Sequence, residues 1–188
     1  MPLTFPPQIA TPRLVIRAVA APDLDDLFAI NGDPEVTRFL PYETWKDAAA
    51  GHAWLERMRK LEAAGAALQL VAARADDARV VGTCLLFNYD AGSARAELGY
   101  VLARDHWRGG WMREALEGLI GHAFGPMALR RLEASVNPVN TASHALLMRL
   151  GFEMEGVRRE RWIEKGRPAD SAMYGLLARD WHGRPRPA

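Results

Sequence analysis

The sequence predicts a mixed α/β (α+β) fold in which helices flank one central sheet. Three observations carry this prediction. The apolar period switches between helical and alternating along the chain. The resulting order is strand, helices, three strands, helix, strand, helix and two strands, which suits layers around a single sheet. Finally, 188 residues with 49% hydrophobic and 25% charged side chains can bury a sizeable core.

The elements follow in order. Residues 13–19 alternate as a strand, with Pro12 just before it. Pro22 suits the start of a helix carrying Leu24, Leu27, Phe28 and Ile30, which Asn31-Gly32-Asp33-Pro34 ends. A short segment passes through Val36, Phe39 and Leu40. Residues 46–63 read as a second helix, with Trp54, Met58 and Leu61 on one face. Residues 68–74 and 79–88 read as paired strands around Asp76-Asp77, and 94–103 as a third. Residues 110–124 follow as a helix whose wide apolar face holds Met112, Ala115, Leu116, Leu119, Ile120 and Ala123. A short strand spans 131–136, and a helix over 140–150 is stopped by Gly151. Residues 153–164 and 172–177 close the chain as antiparallel strands around a Gly166-Arg167-Pro168 turn. One domain over 1–182 is expected, with 183–188 as a loose tail carrying two prolines and two arginines.

Composition excludes several function classes. The 24 cations and 23 anions leave a net charge of +1, so no bulk field points to nucleic acid or a membrane. Arginine supplies 21 of those cations and lysine 3; arginine suits bidentate anion contacts but also reflects compositional bias. Cys84 is the one cysteine, so no intrachain disulfide or cysteine-based zinc cluster forms. The five histidines show no metal-binding spacing, and no metal is expected. The N-terminal residues lack a secretory pattern and no run reaches 18 apolar residues, so a cytoplasmic location is expected.

The most informative stretch runs from Glu97 to Ala115, where a strand feeds a turn holding Gly109-Gly110 and a helix begins at once. Helix starts expose unbonded amides with partial positive charge, and glycines let a phosphate approach them. Arg108 and Arg113 can add charge-assisted contacts. The alternative is that the two glycines only shape the turn. No P-loop or dinucleotide-binding glycine motif is present. Strand alternation places Glu97, Gly99 and Val101 on one face and Leu98, Tyr100 and Leu102 on the other. Asn140 and Ser143 sit three apart at a helix start, which by itself is ordinary capping.

Several segments in series resemble the GCN5-related N-acetyltransferases. Within them, the similarity is to the group that acetylates protein N-termini such as ribosomal-protein alanine or serine. They are Thr11-Pro-Arg-Leu-Val-Ile-Arg17, Glu97-Leu-Gly-Tyr100, Trp107-Arg-Gly-Gly-Trp-Met-Arg-Glu-Ala115, Asn137-Pro-Val-Asn-Thr-Ala-Ser143, Leu150-Gly-Phe-Glu-Met-Glu-Gly156 and Gly166-Arg-Pro-Ala-Asp-Ser-Ala-Met-Tyr174. The resemblance covers nearly the whole chain. It implies a central, mostly antiparallel sheet flanked by helices, and acetyl-CoA as the acetyl donor. It implies that the pyrophosphate sits in the turn of Trp107, Arg108, Gly109, Gly110, Trp111, Met112 and Arg113. Gly110 matches the family's first glycine, Met112 its final small residue and Trp107 its Gln/Arg position. Arg108 departs from the pattern, standing where the group often has glycine.

By the same resemblance, Tyr100, Val101 and Leu102 lie on the strand whose splay admits the pantetheine arm. Asn140-x-x-Ser143 lines the thiol, with Asn137 also a cofactor-binding residue: Asn140 touches pantetheine and Ser143 is the candidate acid, preferred over Tyr174. Glu97 is the candidate base or amine anchor; the alternative is a carboxylate paired with Arg95 or another arginine. Val101 or Leu102 supplies the oxyanion donor. His106 and His144 are expected at the surface, and the arginine runs 130–131 and 158–161 on solvated faces. Cys84 is expected to be structural, which suits direct transfer. The implied function is N-acetylation of a primary amine, most simply a protein or peptide N-terminus. A small-molecule amine such as an antibiotic or polyamine, or a non-catalytic CoA- or peptide-binding module, are the alternatives. A homodimer is a possible assembly.

Overall fold

Alternation of branched apolar side chains drives the middle of the chain into strands, and glycines or polar pairs break them. A computed structural model describes residue 6 and residues 8–182; the tail expected at 183–188 lies outside them. The strands are β1 (Ile9–Ala10), β2 (Leu14–Ala18), β3 (Ala67–Arg74), β4 (Val80–Asp90), β5 (Arg95–Leu102), β6 (Arg131–Val136), β7 (Glu153–Glu164) and β8 (Arg167–Leu177). The helices are α1 (Leu24–Asn31), α2 (Pro34–Thr37), α3 (Ala48–Ala63), α4 (Trp111–Phe124), α5 (Thr141–Leu150) and α6 (Ala178–His182). One eight-stranded sheet has the order β1-β2-β3-β4-β5-β6-β8-β7. Every neighbouring pair is antiparallel except β5 and β6, which α4 joins by a crossover. The fold is the expected mixed α/β sheet flanked by helices.

The two faces carry separate cores. On one, Leu70, Leu86 and Leu98 pack with Leu116, Leu119 and Leu147 of α4 and α5. On the other, Val71 and Ala73 pack with Leu27, Ile30 and Trp45. On that second face, α3 packs against β3 and α1 against β4. The half of that face beyond β5 is left as a cleft.

Some expected boundaries are corrected. β1 and α6 are additional, and the segment through Val36 forms the short helix α2. α3 starts at 48 because the Asp47 carboxylate caps it, accepting from the Ala50 amide. The closing turn is Lys165-Gly166, not Gly166-Arg167-Pro168. Both turn residues take left-handed φ, 49° and 78°, as a two-residue hairpin requires. Pro168 therefore already lies in β8, opposite Ile163. It is tolerated there because β6 pairs with β8 only from Ala172 onward.

Candidate functional site

The sheet is split at its centre. β5 and β6 pair only through Arg95↔Arg131, Ala96↔Leu132 and Glu97↔Glu133. Beyond that point β5 stays on β4 as far as Leu102↔Gly82, while β6 stays on β8 as far as Val136↔Ala172. Held from their outer sides, the two strands diverge into a wedge. The inner edge of β5 past Glu97 has no strand partner among the described residues, so backbone groups there such as the Tyr100 and Leu102 amides are available to something else.

At the far end of β5 the chain turns into α4. The Trp107 indole N–H donates to the Leu102 carbonyl at 2.9 Å, tying the turn to the strand. Arg108 takes φ 62° and Gly110 φ 76°. Arg108 thus occupies a conformation that glycine adopts without strain. A Cβ at Gly109 would lie 2.7 Å from the Trp111 ring. The helix's first bond runs from the Glu114 amide to the Gly110 carbonyl at 3.0 Å. The amides of Trp111, Met112 and Arg113 therefore precede the intrahelical ladder, at the positive end of the helix. Met112 itself is buried in the core, so only its backbone faces the turn. Arg113 lies along α4, donating to Glu117 at 2.8 Å.

A clamp missed at the level of sequence steadies this turn. Arg13, just before β2, donates from Nε to Glu114 at 2.6 Å and from Nη1 to the Gly109 carbonyl at 3.2 Å. Its guanidinium stacks over Trp111, 4.2 Å from the ring centroid. Thr11 Oγ1 adds a bond to Glu114 at 2.6 Å. Burial tends to raise the Glu114 pKa, but the bonds from Thr11 and Arg13 outweigh it and hold the carboxyl below its ordinary value. His106 is half-buried rather than simply at the surface, its ring set edge-on to Trp111 at 5.3 Å.

On the same face, α5 starts beside the wedge. The Asn140 carboxamide caps it, accepting from the Ser143 amide at 3.2 Å. Asn137 accepts from the Val139 amide at 3.2 Å and donates to Glu164 at 3.1 Å, so its side chain shapes the loop. The Tyr100 hydroxyl is buried beside the Ser143 hydroxyl, its near polar neighbour, without a hydrogen bond of full geometry among the described residues. Burial pushes its pKa up to about 12, with the nearby Ser143 hydroxyl opposing, so it stays protonated at neutral pH. His144, expected at the surface, is half-buried and held at both ring nitrogens: Nε2 lies 3.1 Å from the Pro138 carbonyl and Nδ1 2.5 Å from the Tyr174 hydroxyl. A carbonyl only accepts, so neutral His144 carries its proton on Nε2 and Tyr174 donates to Nδ1.

Glu97 points to the opposite face. It is 5% exposed and accepts from Asn88 Nδ2 at 3.0 Å. The arginine pairing weighed from sequence does not form: Arg95 bonds Glu133 at 2.9 Å instead. Glu97 lines a cleft of about 750 Å³ that also reaches Arg131, Glu155 and Arg158. Arg131, expected on a solvated face, is instead half-buried and ion-paired to both Glu133 and Glu155. Cys84 is fully buried, and burial pushes its thiol up to about 12, so it is no thiolate nucleophile.

The split, the left-handed turn and the buried Tyr100 hydroxyl together fit an elongated ligand with a phosphate group at α4 and an arm in the wedge. No helix among the described residues is long and apolar enough to cross a membrane.

Known proteins match this arrangement. Residues 13–153 match the acetyltransferase (GNAT) domain family. The N-acetyltransferase p20 of Bacillus licheniformis is 35% identical, covering 92% of this chain and 97% of that protein. The [ribosomal protein uS5]-alanine N-acetyltransferase of Escherichia coli is 30% identical, covering 93% and 92%. The spermidine N-acetyltransferase of Vibrio cholerae, solved with CoA and spermine, shares the fold at a TM-score of 0.79 and 20% identity, covering 90% and 98%. The chain therefore belongs to the GNAT family of acetyl-CoA-dependent acetyltransferases.

Proposed function

We propose that this protein moves the acetyl group of acetyl-CoA directly to a primary amine, and that the amine is a protein or peptide N-terminus. The observation that carries this reading is the split between β5 and β6. It connects the α4 turn and Tyr100 on one face with buried Glu97 on the other. Two reactants can thus meet edge to edge through the sheet. The similarity to the uS5-alanine N-acetyltransferase supports an N-terminal amine over a small one.

When bound, acetyl-CoA supplies an activated thioester. The backbone amides of residues 108–113 hold its pyrophosphate, with Trp107 and Gly109 keeping the turn's shape. The unladdered edge at Tyr100, Val101 and Leu102 receives the pantetheine arm. Of the two candidate oxyanion donors, the Val101 amide is directed to Thr83 in the β4 ladder, which leaves the Leu102 amide as the candidate donor to the carbonyl oxygen. Glu97 accepts the acceptor's ammonium proton, directly or through one water. Ser143 holds the proton needed by the departing sulfur. Tyr174 is less suited, because its proton is already directed to His144 Nδ1. Asn140 and Asn137 build the loop that sets Ser143 in place.

The first test is calorimetry with acetyl-CoA, followed by free-thiol release with Ala- or Ser-started peptides and with spermine. Saturable coenzyme binding and turnover on the peptides are expected. No coenzyme binding, or turnover on spermine alone, overturns the proposal.

A further inference from the structure

The charges of the cleft are unevenly paired. Glu133 is bonded by Arg95 and by Arg131, each at 2.9 Å. Arg131 also bonds Glu155 at 2.8 Å, and Arg95 lies 3.6 Å from Asp90. Each of these three carboxylates has a guanidinium beside it. Among the described residues Glu97 has none and holds only the Asn88 amide. On the opposite wall Arg158 and Arg161 have no carboxylate partner among the described residues. The Nε–H of Arg161 is buried without a hydrogen-bond partner among the described residues, while its guanidinium sits 4.9 Å over the Trp162 ring. An oriented guanidinium with an unmet buried donor is a prepared carboxylate site.

The backbone explains why these arginines face the cleft. The β7–β8 register steps from Arg158↔Ser171 to Trp162↔Ala169, so β7 carries two more residues than β8 across this interval. Glu160 takes φ 48° there, its amide anchored on the Asp170 carboxylate at 2.8 Å. Bulges of this kind re-aim side chains beside active sites.

We infer that the acceptor of this cleft carries a carboxylate near its reacting amine, read by Arg158 and Arg161 while Glu97 takes the amine. This rests on the amine transfer proposed above. A polyamine satisfies Glu97 but sets its remaining cations against two unpaired arginines. An N-terminus followed by an acidic residue, or a free amino acid, satisfies both ends.

The test measures kcat/KM by thiol release on amidated Ala-started peptides with Asp, Asn or Lys at the second or third position. Free alanine and spermine are run alongside. Asp peptides are expected to exceed Asn peptides by about tenfold, with Lys lowest. Free alanine above the amidated Asn peptides identifies a small amino acid as the source of the carboxylate; Asp peptides above free alanine identify a protein. Arg161→Glu is expected to reverse the order of Asp and Lys peptides, and Arg161→Gln to level it, with coenzyme affinity by calorimetry unchanged. A merely structural arginine cannot produce the reversal. Equal rates on Asp and Asn peptides, or spermine as the best acceptor with the peptides still acetylated, overturn the inference alone; spermine as the sole acceptor overturns both. Coenzyme binding with no amine acetylated overturns both this inference and the proposed function.

Discussion

Glu97 is set apart by what it lacks. A buried carboxylate needs compensation, and most others in this cleft receive it from arginine. The parallel register puts Glu97 directly opposite Glu133, and Glu133 takes both neighbouring guanidinia. Glu97 is left with one amide bond and access to the cleft, an arrangement suited to holding a cation or a proton. Glu97→Gln keeps the size and the contact with Asn88 but removes the basic site. Its kcat is expected to fall by about a hundredfold or more, with the acetyl-CoA dissociation constant unchanged by calorimetry. The candidate was legible in the sequence as a carboxylate on an apolar strand. Its pairing was not, because Arg95 is drawn away by Glu133, which lies 38 residues further along the chain on β6.

At the scale of the element, the α4 turn combines local geometry with a remote brace. Gly110 in left-handed φ opens the helix, and a Cβ added there would lie 3.6 Å from the Arg13 guanidinium rather than in empty space. Gly110→Glu adds backbone strain, bulk and a like charge at the phosphate position, and is expected to weaken coenzyme binding by at least about tenfold. An unchanged dissociation constant in a folded variant would move the phosphate elsewhere.

The brace is expected to show in acid. Glu114 is held below its ordinary pKa in the folded state, so its contribution is full above the unfolded value of about 4.3. That contribution is lost as pH falls through the lowered folded value. Glu114→Gln should therefore destabilise the protein at neutral pH, and the difference from wild type should shrink in acid, as thermal melts across pH would show. The glycine turn was readable because glycine pairs announce themselves locally. Thr11 and Arg13 lay in plain view in the segment Thr11–Arg17, yet only the packing of β2 against α4 gives them a task.

Across the whole molecule, α4 holds the larger core to the sheet. Leu119 is fully buried in it. Leu119→Ala should cost about 2–5 kcal/mol in urea unfolding, through lost burial and a residual cavity. On the second face the main helix contacts fall on β3 and β4, and the proposed acceptor cleft lies where they end, from the far end of β4 across to β7. Element order and type were largely readable, because long periodic segments report their own burial. Short pieces were not: β1 has two residues and α2 four, too few to show a period. The partner of His144 was hidden for a similar reason, since a helical histidine carries no local sign of a tyrosine thirty residues on.

The sequence by itself determined the layers, the glycine turn before α4, the family resemblance and the opposite-facing sets Glu97 and Tyr100 on one strand. These are local properties: side-chain period, backbone permissiveness and spacing. Only the tertiary structure decided where β5 leaves β6, which arginines neutralise which carboxylates, and which guanidinia remain open at the β7 bulge. Those outcomes arise from register and competition among distant partners, and a charged side chain does not disclose its partner until the strands are aligned.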